Sequence, residues 1–242
     1  MIHFLGFYHE KKLLLDVAIE HMKSTTFFNH KKNALKKNTK LKNYNINPFI
    51  LNYLTMIMDG QVTAEALAKS LYYPRVLGPS LNTTFGSNTQ KMCVEIGLAK
   101  PSILPGMDVE FIDKIDKRKK YCQLKSGPNT INSDDVDPIL DKFDKLQKRA
   151  RTNAMTINNN DLIIGVLYGD EQSLSSHYLK IDKKYPVHIG SDFWHRITGF
   201  KGFYSELNLR VNDLVTSLTN DDFLHTGCKM LEAEIDASNI LK

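Results

Sequence analysis

Asp108, Gln123 and Lys125 bring a carboxylate, an amide oxygen and a primary amine together over a short span of chain. Hydrolysing a phosphodiester calls for such a set, because water must be activated and charge on the phosphate and leaving oxygen must be neutralised. A divalent cation held by a carboxylate supplies both effects, and a nearby lysine orients or deprotonates the water. Asp108 is a hard oxygen ligand of the kind Mg²⁺ prefers, and Gln123 can add its carbonyl oxygen. Glu95 and Glu110 are further carboxylates that could join them.

These groups can work together only if the chain converges them. In residues 107–111 apolar and acidic side chains alternate, the period of a strand, so Asp108 and Glu110 share a face. A charged turn over 113–120 leads to a second alternating run over 121–125. There Cys122 and Leu124 should enter the core, with Gln123 and Lys125 together on the opposite side. Residues 126–132 break that strand, and Asn132 or Ser133 caps a helix running to about Arg151. Its apolar stripe is Val136, Ile139, Leu140, Phe143 and Leu146, and Lys142, Lys145, Lys148 and Arg149 lie largely elsewhere. The continuous apolar run over 162–168 reads as a central strand covered on both faces. Strand, strand, helix, strand is an α/β order.

The flanks are mostly helical. Helices are expected over 11–23, 48–58 and 63–71, then an ordered loop over 73–86 rich in turn formers. Ser87 or Asn88 should cap the next helix, which carries Glu95 near an edge of its buried face. Beyond Asp170, a short strand at 186–190, a short helix at 192–198 with Trp194 as packing anchor, a helix over 203–218 and a helical segment from Asp221 complete the reading.

The 242 residues carry a net charge of +5, and the charge is uneven. From His21 through Met58 there is no Asp or Glu, while Lys23, Lys31, Lys32, Lys36, Lys37, Lys40 and Lys42 fall in that stretch. Such a field attracts a polyanion, although the same residues would also suit a plain solvated surface. The 3 cysteines are spaced too widely for a metal knuckle or a disulfide framework, and the histidines do not cluster. No apolar stretch approaches the roughly 18 residues of a spanning helix, and no export signal is evident, so a cytoplasmic protein with no membrane partner is expected.

Pro105-Gly106-Met107-Asp108 followed by Gln123-Leu124-Lys125 resembles the signature of the PD-(D/E)xK nuclease superfamily. The loop over 77–86, the segment 125–132, and Gly190-Ser191-Asp192-Phe193-Trp194 with Thr198-Gly199 extend the likeness to a subgroup of type II restriction endonucleases, over about residues 73–207. The resemblance implies a restriction-endonuclease-like α/β core with a mixed central sheet flanked by helices, over 73–242. A lysine-rich helical lobe would precede it over 1–72. It implies Mg²⁺-dependent cleavage of double-stranded DNA by a homodimer, with a cognate DNA methyltransferase protecting host sites. Asp108 and Gln123 would bind the metal with Glu95 or Glu110 as auxiliary, and Lys125 would act on the water. Lys142, Lys145, Lys148 and Arg149 would meet phosphates, and Arg75, Asn82, Asn129, Thr130, Asn132 and Arg196 are candidates for base contact. Gln123 stands where the superfamily has Asp or Glu, so one charge is missing from the site. That departure keeps open a non-catalytic DNA-binding descendant, and the fold also suits a repair or recombination nuclease that recognises DNA structure.

Overall fold

The computed structural model describes residues 2–152, 156–218, 222–238 and 240–241. The chain runs through α1 (Ile2–His21), α2 (Phe28–Lys36), α3 (Leu51–Asp59), α4 (Ala64–Arg75), α5 (Leu81–Glu95), β1 (Lys100–Pro101), β2 (Val109–Ile112) and β3 (Lys119–Lys125). It continues through α6 (Ser133–Thr152), β4 (Leu162–Val166), α7 (Ser176–Asp182), β5 (Val187–Ile189), α8 (Gly190–Thr198), α9 (Phe203–Leu218) and α10 (Phe223–Asp236). Asp221, from which the last helix was expected, lies outside the described residues. Contacts group the chain into two compact units, Met1–His21 with Gly86–Asp213 and Met22–Phe85 with Leu214–Lys242. The first helix thus belongs with the sheet, and the last with the helical unit, where the expected division followed chain order at residue 72.

The first unit is built on a 5-stranded sheet in the order β1-β2-β3-β4-β5. β1, β2 and β3 are antiparallel neighbours, and β3, β4 and β5 are parallel, so the sheet is mixed. The hairpin between β2 and β3 closes on Asp113, whose Oδ1 accepts the Ile115 N–H at 2.7 Å, and on Lys117, whose φ of 62° is left-handed. A parallel partner needs a crossover, and α6 provides it. Asn132 starts that helix by accepting the N–H groups of Asp134 (2.8 Å) and Asp135 (3.2 Å), while the Asp135 carboxylate takes the Asn132 N–H at 2.9 Å.

Both faces of β3 are buried over Lys120–Cys122, so Cys122 enters the core as expected, while Leu124, expected there too, is half-buried with Gln123 and Lys125 at the end of the strand. Tyr121 joins Val136, Ile139, Phe143 and Leu146 of α6 and Tyr178 and Ile181 of α7 in a single apolar cluster. On the other face, Gly165 of β4 lets α8 come close: a Cβ there would overlap the Phe193 ring and stand 2.8 Å from Cys122 Sγ. Phe193 meets Phe111 edge-on at 6.3 Å, and Trp194 stacks on Phe203 and donates its indole N–H to Leu167 O at 2.9 Å, so it anchors packing as expected. Lys119 and Lys120, expected in the turn, extend β3. Lys120 is buried, with its ammonium donating to Asp116 (2.5 Å) and Asn160 O (2.7 Å).

In the helical unit, Thr63 caps α4 by accepting the Ala66 N–H at 3.2 Å. Residues 73–86, expected as a loop, are helical instead. α4 leads through a π-helical segment, Val76–Ser80, into α5, which starts at Leu81 rather than at a cap on Ser87 or Asn88. Pro74 and Pro79 lack N–H groups that a regular helix would use, and a widened turn re-pairs the neighbours around them. The lysine stretch is partly helical in α2, and Lys40 pairs with Glu234 of α10 at 2.8 Å. α3 buries Leu51 and Thr55 on one side while Tyr53 (65% exposed), Met56 and Ile57 stand in solvent on the other, and Phe49, just before the helix, is 92% exposed. No helix among the described residues is long and apolar enough to cross a membrane.

Candidate active site

β2 and β3 are in register with Val109 opposite Cys122 and Glu110 opposite Tyr121. Continuing that register by one residue sets Asp108 opposite Gln123, and Lys125 ends the same strand two residues on. Asp108 precedes β2, and its backbone N–H still reaches Cys122 O at 2.9 Å. Its Oδ2 accepts the Leu124 N–H at 2.7 Å, which ties the carboxylate to the partner strand and leaves Oδ1 without a protein donor among the described residues. Burial first, and then the Asp108 carboxylate beside it, push the Cys122 thiol well above its ordinary range.

Gln123 Oε1 is buried and accepts no hydrogen bond from the described residues. Leaving a buried amide oxygen unpaired costs on the order of 1–3 kcal/mol, so such an atom signals a missing partner. A hard divalent cation takes oxygen ligands of this kind and fills its remaining positions with water or phosphate. Asp108 Oδ1 and Gln123 Oε1 therefore fit it. Lys125 is half-buried and bound by no carboxylate among the described residues.

The two auxiliary candidates are engaged elsewhere. Glu95 is exposed at the end of α5 and meets His21 Nε2 at 2.7 Å. Glu110 is buried and ion-paired with Lys119 at 2.7 Å, though out of hydrogen-bond alignment. Among the described residues no group of three or more His, Cys, Asp and Glu could hold a metal ion.

Several nucleic-acid candidates surround the hairpin. Lys142 of α6 crosses the turn before Asp108, since a Cβ on Gly106 would stand 2.8 Å from Lys142 Cδ. Lys142, Lys145 and Arg149 line a cleft of about 700 Å³ with Pro105, Gly106 and Asp141. Lys148 is exposed beside them on α6. After Lys125, the chain turns through Gly127 and Pro128, both buried, to Asn129 and Thr130, both at the surface. The Asn132 side chain is committed to capping α6. Arg196 is held by Asp113 at 2.9 Å and by Asp192 at 3.1 Å. Burial works to raise the Asp192 carboxyl, but His188 and Arg196 outweigh it and hold the group below its ordinary range. Of the helical unit's candidates, Asn82 is exposed on α5, while Arg75 donates to Asn43 O at 2.5 Å and covers the Tyr44 ring.

Sequence reasoning passed over Tyr168 and Tyr178. Each abuts the turn after Lys125, and neither stands in a motif that would have drawn attention to it.

A mixed five-stranded sheet with helices on both faces and an Asp/Gln-x-Lys hairpin at its centre is a restriction-endonuclease-like α/β fold. A family model described as Type II restriction endonuclease EcoO109I matches residues 19–215. The chain belongs to that family of type II restriction endonucleases. No curated protein matches it.

Proposed function

We propose that this chain is a Mg²⁺-dependent, sequence-specific endonuclease of double-stranded DNA that acts as a homodimer, partnered in the cell by a methyltransferase protecting the same site. The observation that carries the reading is the buried Gln123 Oε1, without a partner among the described residues, across the hairpin from Asp108 and two residues from Lys125. Asp108 and Gln123 would hold the metal, which supplies positive charge against the phosphate when bound. Lys125 would orient the attacking water and take up or share its proton. Lys142, Lys145, Lys148 and Arg149 would grip the phosphate backbone beside the turn at Gly106, fixing position without reading sequence. Incubation with unmethylated DNA in Mg²⁺ or in EDTA tests this, since discrete fragments formed only with the metal are expected. A second reading, DNA binding without cleavage, is favoured by the missing charge at Gln123, and intact DNA under tight binding would select it.

The homodimer is supported by α3. On and just before that helix, Phe49, Tyr53, Met56 and Ile57 are uncovered, and a contiguous exposed apolar patch of this kind marks an interaction surface. From Asn43 through Met58 the chain carries no charge, so two copies of this face would meet without repulsion inside an otherwise basic lobe. With Ile50, Met58 and Val62 it offers on the order of 800 Å², one side of a standard interface. Tyr53→Glu is expected to weaken self-association by about thirtyfold or more, read by sedimentation against the unaltered chain. Equal association of the two would place the dimer elsewhere.

A further inference from the structure

The turn that follows Lys125 is held from beneath by side chains no motif singles out. Thr130 donates its hydroxyl proton to Gly127 O at 2.9 Å, which leaves its oxygen free to accept from the Tyr178 hydroxyl at 2.8 Å. Tyr178 also lies 3.3 Å from Gly127 O and is itself fully buried in α7. Burial pushes that phenol up to about 12, so it stays a donor at any working pH. Pro128 O accepts the Ser175 N–H at 3.2 Å. From above, the Tyr168 ring presses on Gly127 so closely that a Cβ there would overlap it. Asn129 is therefore the exposed tip of a turn whose neighbours on both sides are fixed.

A surface asparagine held this way is pre-ordered for contact with base edges, and ordering before binding removes part of the entropic cost of that contact. We propose that Tyr178 is a positioning residue for sequence reading: through Thr130 and Gly127 it fixes the 126–130 turn so that Asn129 meets the DNA groove next to the phosphate served by Lys125. This rests on the nuclease reading above.

The test uses the full chain and duplex oligonucleotides bearing the sequence recovered from the ends of the enzyme's own fragments, beside duplexes altered at one base pair. Tyr178→Phe is expected to lower the ratio of kcat/KM between recovered and altered sites by about tenfold or more. Thr130→Val, which removes the hydroxyl that bonds Tyr178 and Gly127, should do the same, and Thr130→Ser should restore the ratio. Asn129→Ala should match Tyr178→Phe, and the double variant should be no worse than Asn129→Ala alone, because both changes act on one contact. A general loss of stability would instead lower cleavage at all sites alike. An unchanged ratio in Tyr178→Phe, or losses that multiply in the double variant, overturns the positioning role alone. Failure of the unaltered chain to cut at a defined sequence overturns the nuclease reading, and the proposal with it.

Discussion

Replacing Lys125 by alanine is expected to slow DNA cleavage by about 10³-fold while leaving DNA binding within a fewfold of the unaltered chain. The amine has no structural bond to lose, being bound by no carboxylate among the described residues, so the fold should tolerate its removal. Asp108→Ala should lose at least as much activity. It also frees the Leu124 N–H from its 2.7 Å bond, so a small fall in thermal midpoint should accompany it. The two variants are thus distinguishable by pairing single-turnover rates with melting curves. Gln123 gives the diagnostic third arm. Gln123→Glu adds a charge to a buried oxygen that has no partner among the described residues and should lower the Mg²⁺ concentration for half-maximal rate, whereas Gln123→Leu should raise it, each by about tenfold. Identical metal dependence in all three forms would remove Gln123 from the site.

Gly165→Ala is expected to be among the most damaging single changes to stability, about 2–3 kcal/mol, because added volume in a packed core forces neighbours off their rotamers. The new methyl would overlap Phe193 and stand 2.8 Å from Cys122 Sγ. Neither neighbour has room to give: Phe193 and Cys122 are both fully buried. Gly165 pairs with Leu124 in the parallel ladder, one residue from both Gln123 and Lys125. The strain therefore falls on the strand that carries the chemistry, and cleavage should drop even below the melting transition. A thermal midpoint lower by about 5–10 °C is the expected reading, and an unchanged midpoint would show that α8 can move away from the sheet at little cost.

The hairpin was legible because its signals are local. Asp108, Gln123 and Lys125 fall in runs of alternating sequence, and β4 declares itself by an unbroken apolar run that is buried throughout. α6 was legible from Asn132 at its start, and the same residue shows the limit of such reading, since capping uses the side chain that was also a candidate for base contact. What escaped depended on distant partners. Glu95 is claimed by His21, 74 residues away, and no spacing rule announces that pairing. The helical path over 73–86 overrides two prolines and two glycines that locally favour a loop, because the π-helical turn at Val76–Ser80 finds other partners for the backbone. Lys120 looked like a turn residue and is instead buried among Asp116, Asn160 and Asp161. Tyr178 earns its place only through the turn it touches, and α7 itself left no clear mark in the sequence.

The two rims of the sheet have a bearing on how the chain behaves when crowded. An open strand edge invites another chain to add itself and grow a fibre, and short edges or proline discourage it. Here one rim is β1, just Lys100 and Pro101, where the lysine adds charge and the proline offers no N–H. The other is β5, a three-residue strand entered directly from Pro186. Neither rim is long enough to template an incoming strand, so precipitation by strand addition is disfavoured even though the interior of the sheet is strongly apolar. Sticking between molecules is left to side chains on helices, where charge and salt can tune it.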